Sequence, residues 1–173
     1  QRDYLLREKL NELGLPTIVE EANMSDILTK NNWNYSYSYQ ASRILLEESI
    51  LKYPSLTYFI DIHRDSITKE YSTITINDKN YAKIMFVIGK DHDNWQKNNS
   101  LATNINNTIE SKYKGISRGV IGKTGINVNG IYNQDINPNC ILIEVGGVDN
   151  TINEVSNSLK IIAKIIFEYL NGE

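Results

Sequence analysis

The sequence predicts an α/β fold of three layers, a largely parallel or mixed sheet flanked by helices. Three observations carry that expectation. Short apolar runs, LTYFIDI from Leu56 and CILIEV from Cys140, read as buried strands. Segments with helical spacing alternate with them, the pattern of layered α/β domains. The last segment places Ile152, Val155, Leu159, Ile162, Ile165, Ile166 and Tyr169 on one broad helical face.

The elements follow in order. Leu5, Leu6, Leu10 and Leu13 recur at helical spacing until Gly14. PTIVEE from Pro16 reads as a short strand, and the polar stretch from Asn23 to Asn34 as a loop. A helix from Tyr37 to Tyr53 turns Ile44, Leu45, Ile50 and Leu51 inward and stops before Pro54. LTYFIDI is apolar enough to be covered on both faces. YSTITI and KNYAKIMFVIG flank an Asn77-Asp78 turn signal, which predicts a hairpin. A helix spans Asn94 to Tyr113, with Gly115 after it. SRGVIGK and GINVNGIYN read as short strands or loops. Thr151 and Glu154 stand at capping-box spacing and start the last helix. No repeat or linker breaks the chain, so residues 1–173 read as a single domain.

Composition narrows the partners. The 173 residues are 40% hydrophobic and 23% charged, with a net charge of −3 and no basic stripe, so nucleic acid is not an expected partner. A single cysteine, Cys140, excludes an intrachain disulfide framework. The chain opens at Gln1 inside a helical pattern, with no signal peptide or membrane span, which reads as a piece of something longer.

Chemistry concentrates at two strand ends. In α/β sheets ligands sit outside the carboxyl ends of the strands. YFIDIHRDSI brings Asp61, His63, Arg64 and Asp65 to one such end. A neutral imidazole is a common zinc ligand, and a carboxylate behind it often orients the ring, a role open to Asp61 or Asp65. A histidine satisfied by a hydrogen bond at a strand end is the bland alternative. Arg64 suits bidentate binding of a carboxylate, or a structural pair with Asp61 or Asp65. Glu144 interrupts a run that must be buried. A buried unpaired carboxylate costs several kcal/mol, so it implies a metal, an ion pair or proton transfer. Arg118 is the candidate ion partner. Desolvation would raise the Glu144 pKa toward the range of a general base. Gly146 and Gly147 after it would admit a substrate or another backbone.

Other signals are weaker. IGKTG lacks the first glycine of a phosphate loop, since Ser117 stands there. His92 between two aspartates reads as a solvated surface residue, and Cys140 as packing rather than a nucleophile. Trp33, Tyr35, Tyr37 and Tyr39 suit stacking on a sugar ring or, more simply, packing.

DIHRDS from Asp61, YAKIMFVIG from Tyr81, SRGV from Ser117, YNQDINP from Tyr132 and ILIEVGGVDNT from Ile141 occur in order. Together they resemble the stage II sporulation protein P family over nearly the whole chain. The resemblance implies a zinc-dependent peptidoglycan hydrolase, similar in fold to N-acetylmuramoyl-L-alanine amidases and also credited with endopeptidase activity. It implies action during forespore engulfment, outside the cytoplasmic membrane at the septal or engulfing membrane, with a membrane anchor upstream. Stage II sporulation protein D, a lytic transglycosylase, is the implied partner, and the stem peptide and glycan are the substrate. By the match His63 is a zinc ligand and Glu144 the catalytic glutamate, with Arg64, Arg118 and Gln134 as substrate-binding groups. The family's upstream histidine and glutamate ligands are expected to precede this chain, together with an N-terminal strand. Glu20, Glu21, Asp26 and His92 match no family ligand. A non-catalytic module that binds stem peptides is the rival reading, and a purely structural domain is a third.

Overall fold

The computed structural model describes residues 1–172. Helix α1 (Arg2–Glu12) buries Leu6 and Leu10, which lie one turn apart. A short helix α2 (Met24–Lys30) follows, where the sequence suggested a loop. Its start was visible: Asn23 caps it by accepting from the Ser25 amide, and Ile27 and Leu28 supply an apolar side. PTIVEE forms no strand. Ile18 is 49% exposed, and no neighbouring strand satisfies this backbone.

Helix α3 (Ser38–Lys52) keeps its predicted span but buries Ala41 and Leu45. Leu51, expected inside, is 81% exposed. Strand β1 (Phe59–His63) leads through helix α4 (Lys69–Ser72) to a hairpin of β2 (Thr73–Ile76) and β3 (Lys79–Ala82). Asn77 and Asp78 both take positive φ at its turn, as the sequence suggested. Strand β4 (Ile84–Gly89), helix α5 (Trp95–Lys112), strand β5 (Ser117–Lys123), strand β6 (Cys140–Val145) and helix α6 (Ile152–Asn171) complete the fold. The capping box at Thr151 and Glu154 is formed. Val155, Leu159, Ile162, Ile165 and Ile166 are buried, whereas Ile152 and Tyr169 at the helix ends are exposed.

The main sheet is four-stranded, in the order β1-β6-β4-β5. β1 pairs with β6 in parallel, β4 with β5 in parallel, and β4 with β6 antiparallel. The sheet is therefore mixed rather than largely parallel. One face packs Ile141, Ile143 and Val145 of β6 and Ile84, Phe86 and Ile88 of β4 into the core with α1, α5 and α6. Covering that face removes the largest side chains from water, at roughly 1.5–3 kcal/mol for each fully buried one. β1 lies at the sheet edge and is not covered on both faces. Ile60 and Ile62 pack against the core, while Asp61 and His63 alternate to the exposed side.

The antiparallel step has a consequence for position. Met85 pairs with Glu144, and Ile84 pairs with Ser117. The start of β5 thus lies beside the carboxyl end of β6. In an all-parallel sheet Arg118 would sit at the opposite end from Glu144.

Candidate active site

The parallel register pairs His63 with Glu144 and Asp61 with Leu142. Paired residues of adjacent strands project to the same face, so His63 and Glu144 are neighbours at the two strand ends. Local spacing brings Asp61 to the imidazole: its Oδ1 lies 2.8 Å from His63 Nε2. That hydrogen bond raises the His63 pKa, against the opposing effect of burial.

Arg118 is re-aimed by a bulge. Between Ile84 and Phe86 of β4 the register slips, and two residues of β5, Arg118 and Gly119, face one residue of β4. Gly119 takes φ +97°, a conformation that side-chain-bearing residues rarely adopt. The SRGV motif therefore encodes a bulge. From it, Arg118 Nη1 donates to Asp65 Oδ2 at 2.6 Å. The sequence had suggested Arg118 as the partner of Glu144; its direct ion pair is with Asp65.

Asp65 and Glu144 are close enough for each carboxyl to act on the other's proton affinity. Those affinities diverge. Burial works against the Asp65 charge, but the bond from Arg118 and the Ser66 amide bring its pKa below the ordinary value. Burial first, and then the Asp65 charge, push Glu144 up. Glu144 Oε2 is enclosed and accepts no hydrogen bond among the described residues. A carboxyl oxygen that is buried, unpartnered and attached to a group with raised proton affinity is the profile of a general base.

Two aromatic rings wall this group. Tyr39 of α3 stacks over His63, with ring centroids 6.5 Å apart and planes 18° apart. Tyr132 meets Tyr39 edge-on at 5.4 Å. Burial, followed by the Glu144 charge, raises the Tyr132 pKa. Its backbone lies at φ +53°, unusual for a bulky residue, and Asn133 follows at +56°. The bend is held on both sides: Asn129 Oδ1 accepts from the Ile131 and Tyr132 amides, and Asn133 Nδ2 donates to Tyr39 O and Ser42 Oγ. Sequence reasoning missed Tyr132, and no local signal marks it beyond the Asn- and Gly-rich stretch that permits the bend.

The remaining candidates lie elsewhere. Gln134 is buried and engaged at both ends of its amide: Oε1 accepts from Gly89 N and Nε2 donates to Val87 O, tying it to the end of β4. It is scaffold rather than a substrate-binding group. Arg64 is exposed and pairs with neither Asp61 nor Asp65. It approaches Arg2, whose pKa falls through burial and then through the Arg64 charge. The glycine pair admits a backbone: a Cβ on Gly147 would stand 2.1 Å from Ile67 O, and Asp65 N donates to Gly146 O at 2.9 Å. His92 is half-buried rather than solvated, with Nε2 enclosed and Nδ1 2.8 Å from Asp93 O. Cys140 is a buried thiol whose pKa burial pushes up to about 12. A groove of about 1590 Å³ runs between α1, α3 and β1 and reaches Asp61 and Tyr132 but neither His63 nor Glu144. His63 and Glu144 lie beside it.

A catalytic zinc commonly takes three protein ligands. Among the described residues no three His, Cys, Asp or Glu side chains converge to hold a metal. His63 with Asp61 behind it has the form of an oriented metal ligand, and the described residues bring no second and third ligand to it. Glu20 is engaged with Ala22 and Ser49, and Glu21 with Arg7. Asp26 lies in the first turn of α2.

The comparisons with known proteins agree with one another. The family described as Stage II sporulation protein P (SpoIIP) matches residues 4–167. Stage II sporulation protein P of Bacillus subtilis (strain 168) is 36% identical over 161 residues, which cover 93% of this chain and 40% of that protein. The chain thus spans less than half the length of its relative. No solved structure matches it. With the family match extending from α1 into α6 and across every residue of the site, the chain belongs to the Stage II sporulation protein P family.

Proposed function

We propose that this sporulation protein hydrolyses an amide bond of peptidoglycan, with Glu144 as the general base. The observation that carries the reading is the Glu144 carboxyl: half-buried, raised in proton affinity, with Oε2 unpartnered. Glu144 takes the proton of the attacking water and delivers it to the departing nitrogen, so the carboxylate is regenerated. Asp65, held ionised by Arg118, keeps the affinity of Glu144 for that proton high. Asp61 fixes the plane of His63 beside it. The finer reading is an N-acetylmuramoyl-L-alanine amidase, with endopeptidase action on cross-links as an accompanying activity. It works outside the cytoplasmic membrane during engulfment, beside stage II sporulation protein D. No helix among the described residues is long and apolar enough to cross a membrane, so anchoring would come from outside them. Zinc is the cofactor that the family resemblance implies. His63 is the side chain this domain would contribute to it, and the remaining ligands would come from outside the described cluster.

The incomplete ligand set favours one other reading, a module that binds stem peptides without turnover. The discriminating experiment incubates the full-length protein with purified peptidoglycan and measures new peptide amino groups, beside elemental analysis for zinc. Amino groups that appear and are lost in Glu144→Gln, with zinc lost in His63→Ala, support the amidase. Retained binding to peptidoglycan without released amines would leave the binding module.

A further inference from the structure

One surface feature is not used by the hydrolytic reading. Residues 31–40, NNWNYSYSYQ, contain four aromatic rings and no charged residue, in a chain that is 23% charged. In the chain they lead from the end of α2 to Tyr39, which stands in the site. Trp33 and Tyr37 stack at 5.4 Å with planes 17° apart. Tyr35 is 77% exposed, Tyr37 is 42% exposed, and Trp33 is half-buried. Tyr35 opens the 3-10 turn Tyr35–Tyr37, which leads directly into α3 and Tyr39. Tyr39 in turn lies over His63.

The backbone of the segment is held by its own hydrogen bonds. Asn32 takes φ +56° to end α2, and the Trp33 amide donates to Leu28 O at 2.8 Å. Asn34 Oδ1 accepts from the Ser36 amide at 2.9 Å and starts the 3-10 turn Tyr35–Tyr37. A backbone fixed before binding, with Trp33 and Tyr37 already stacked, loses less entropy when a ligand arrives. An exposed set of large aromatic rings marks an interaction surface rather than a packing remnant. Tyrosine and tryptophan offer a flat apolar face with a polar tip, at low conformational cost. The surrounding groups are the uncharged amides of Asn31, Asn32, Asn34 and Gln40. A phosphate-bearing or acidic partner would call for lysine or arginine, and residues 31–40 contain neither; Lys30 precedes them at the end of α2. Flat apolar faces edged by amides match a pyranose ring, whose C–H face is apolar and whose rim carries hydroxyl and acetamido groups.

We infer that Trp33, Tyr35 and Tyr37 form a saccharide platform that holds a neutral strand of N-acetylated hexosamines beside the Glu144 site. The inference rests on the peptidoglycan reading and assigns the glycan, as distinct from the stem peptide, to this surface.

The test uses chitotetraose, a soluble glycan with no peptide, added to this chain. The two tryptophan indole N–H signals are followed by NMR, because Trp33 lies on the platform and Trp95 beneath Lys90 does not. The expected result is a saturable shift of the Trp33 signal alone. Tyr35→Ala should weaken binding about tenfold without moving the melting temperature, and Tyr35→Phe should restore it. A Trp33 signal that ignores the glycan, or Tyr35→Ala that binds it as tightly as the parent chain, overturns the platform. A shift caused instead by a free stem peptide also overturns it and makes the surface a peptide site. Binding of the glycan in a protein that never releases peptide amines would sink the amidase and leave the platform standing. Amine release with no glycan shift would do the reverse.

Discussion

Two buried carboxyl groups sit within one strand-helix connection of each other and behave in opposite ways. Glu154, at the start of α6, is 4% exposed, and its side chain is surrounded by donors. Its Oε2 accepts from Thr151 N at 2.9 Å and Asn150 Nδ2 at 3.0 Å, and its Oε1 meets Lys69 Nζ at 2.9 Å. Burial works against its charge, but the bonds from Asn150, Lys69 and Thr151 win and take its pKa from 4.5 to about 2. Glu144 has an unpartnered oxygen and a carboxylate neighbour, and its pKa moves the other way. The same side chain is scaffold when every lone pair is satisfied and reactive when one is not.

The largest effect expected from breaking this contrast is at Glu144. Glu144→Gln should lower peptidoglycan hydrolysis by more than about a hundredfold, the usual range for losing a general base. Its folding stability should hold or rise, because the substitution removes a repulsion with Asp65; urea titration of the variant checks this. Glu154→Gln should do the opposite. It should cost about 3 kcal/mol at neutral pH, from the separation between 4.5 and about 2, and leave the Glu144 chemistry intact. The sign fixes the pH window. The folded pKa of Glu154 is depressed, so its contribution is present above its ordinary value and fades as pH falls toward about 2. Acid unfolding of the parent chain should steepen over that interval, and Glu154→Gln should flatten it. Glu144 has the reverse linkage: its unfavourable contribution to folding sets in as pH rises from its ordinary value through the folded one.

Arg118→Met sharpens the contrast at a smaller scale. It removes a cation that lowers the Glu144 pKa and holds Asp65 ionised. The ascending limb of the pH–rate profile should move to higher pH, because Glu144 would lose that cation, and stability should fall by about 1 kcal/mol. The smallest response is expected at Cys140. Its thiol is buried and pushed up to about 12, so iodoacetamide should leave the native chain unlabelled at neutral pH and label it after denaturation.

Much of this was legible along the chain because it is local. The Asp61–His63 contact follows from two residues of alternation in a strand, and the capping box from a three-residue spacing. Glu144 announced itself as a charge inside an apolar run. The Arg118–Asp65 pair was not legible, since it depends on a bulge and on the antiparallel direction of β4, neither of which has a periodic signature. Tyr132 was hidden for the same reason: its placement comes from two consecutive positive-φ residues held by distant partners. The covering of β1 on both faces was misread because its apolar composition outweighed the alternation that turns Asp61 and His63 to an exposed face.

The register of β1 with β6 also governs when the site can exist. Those strands are separated by about eighty residues of sequence, with the hairpin, β4, α5 and β5 between them. Contacts of such long separation form slowly, because the intervening chain must be closed first. Until β6 inserts between β1 and β4, Asp65 and Glu144 belong to different parts of a flexible chain and titrate as ordinary carboxyls. The raised proton affinity is created at the moment the sheet closes. A partly folded molecule would carry every residue of the site and none of its reactivity, so competence is gained in the same step as the native sheet.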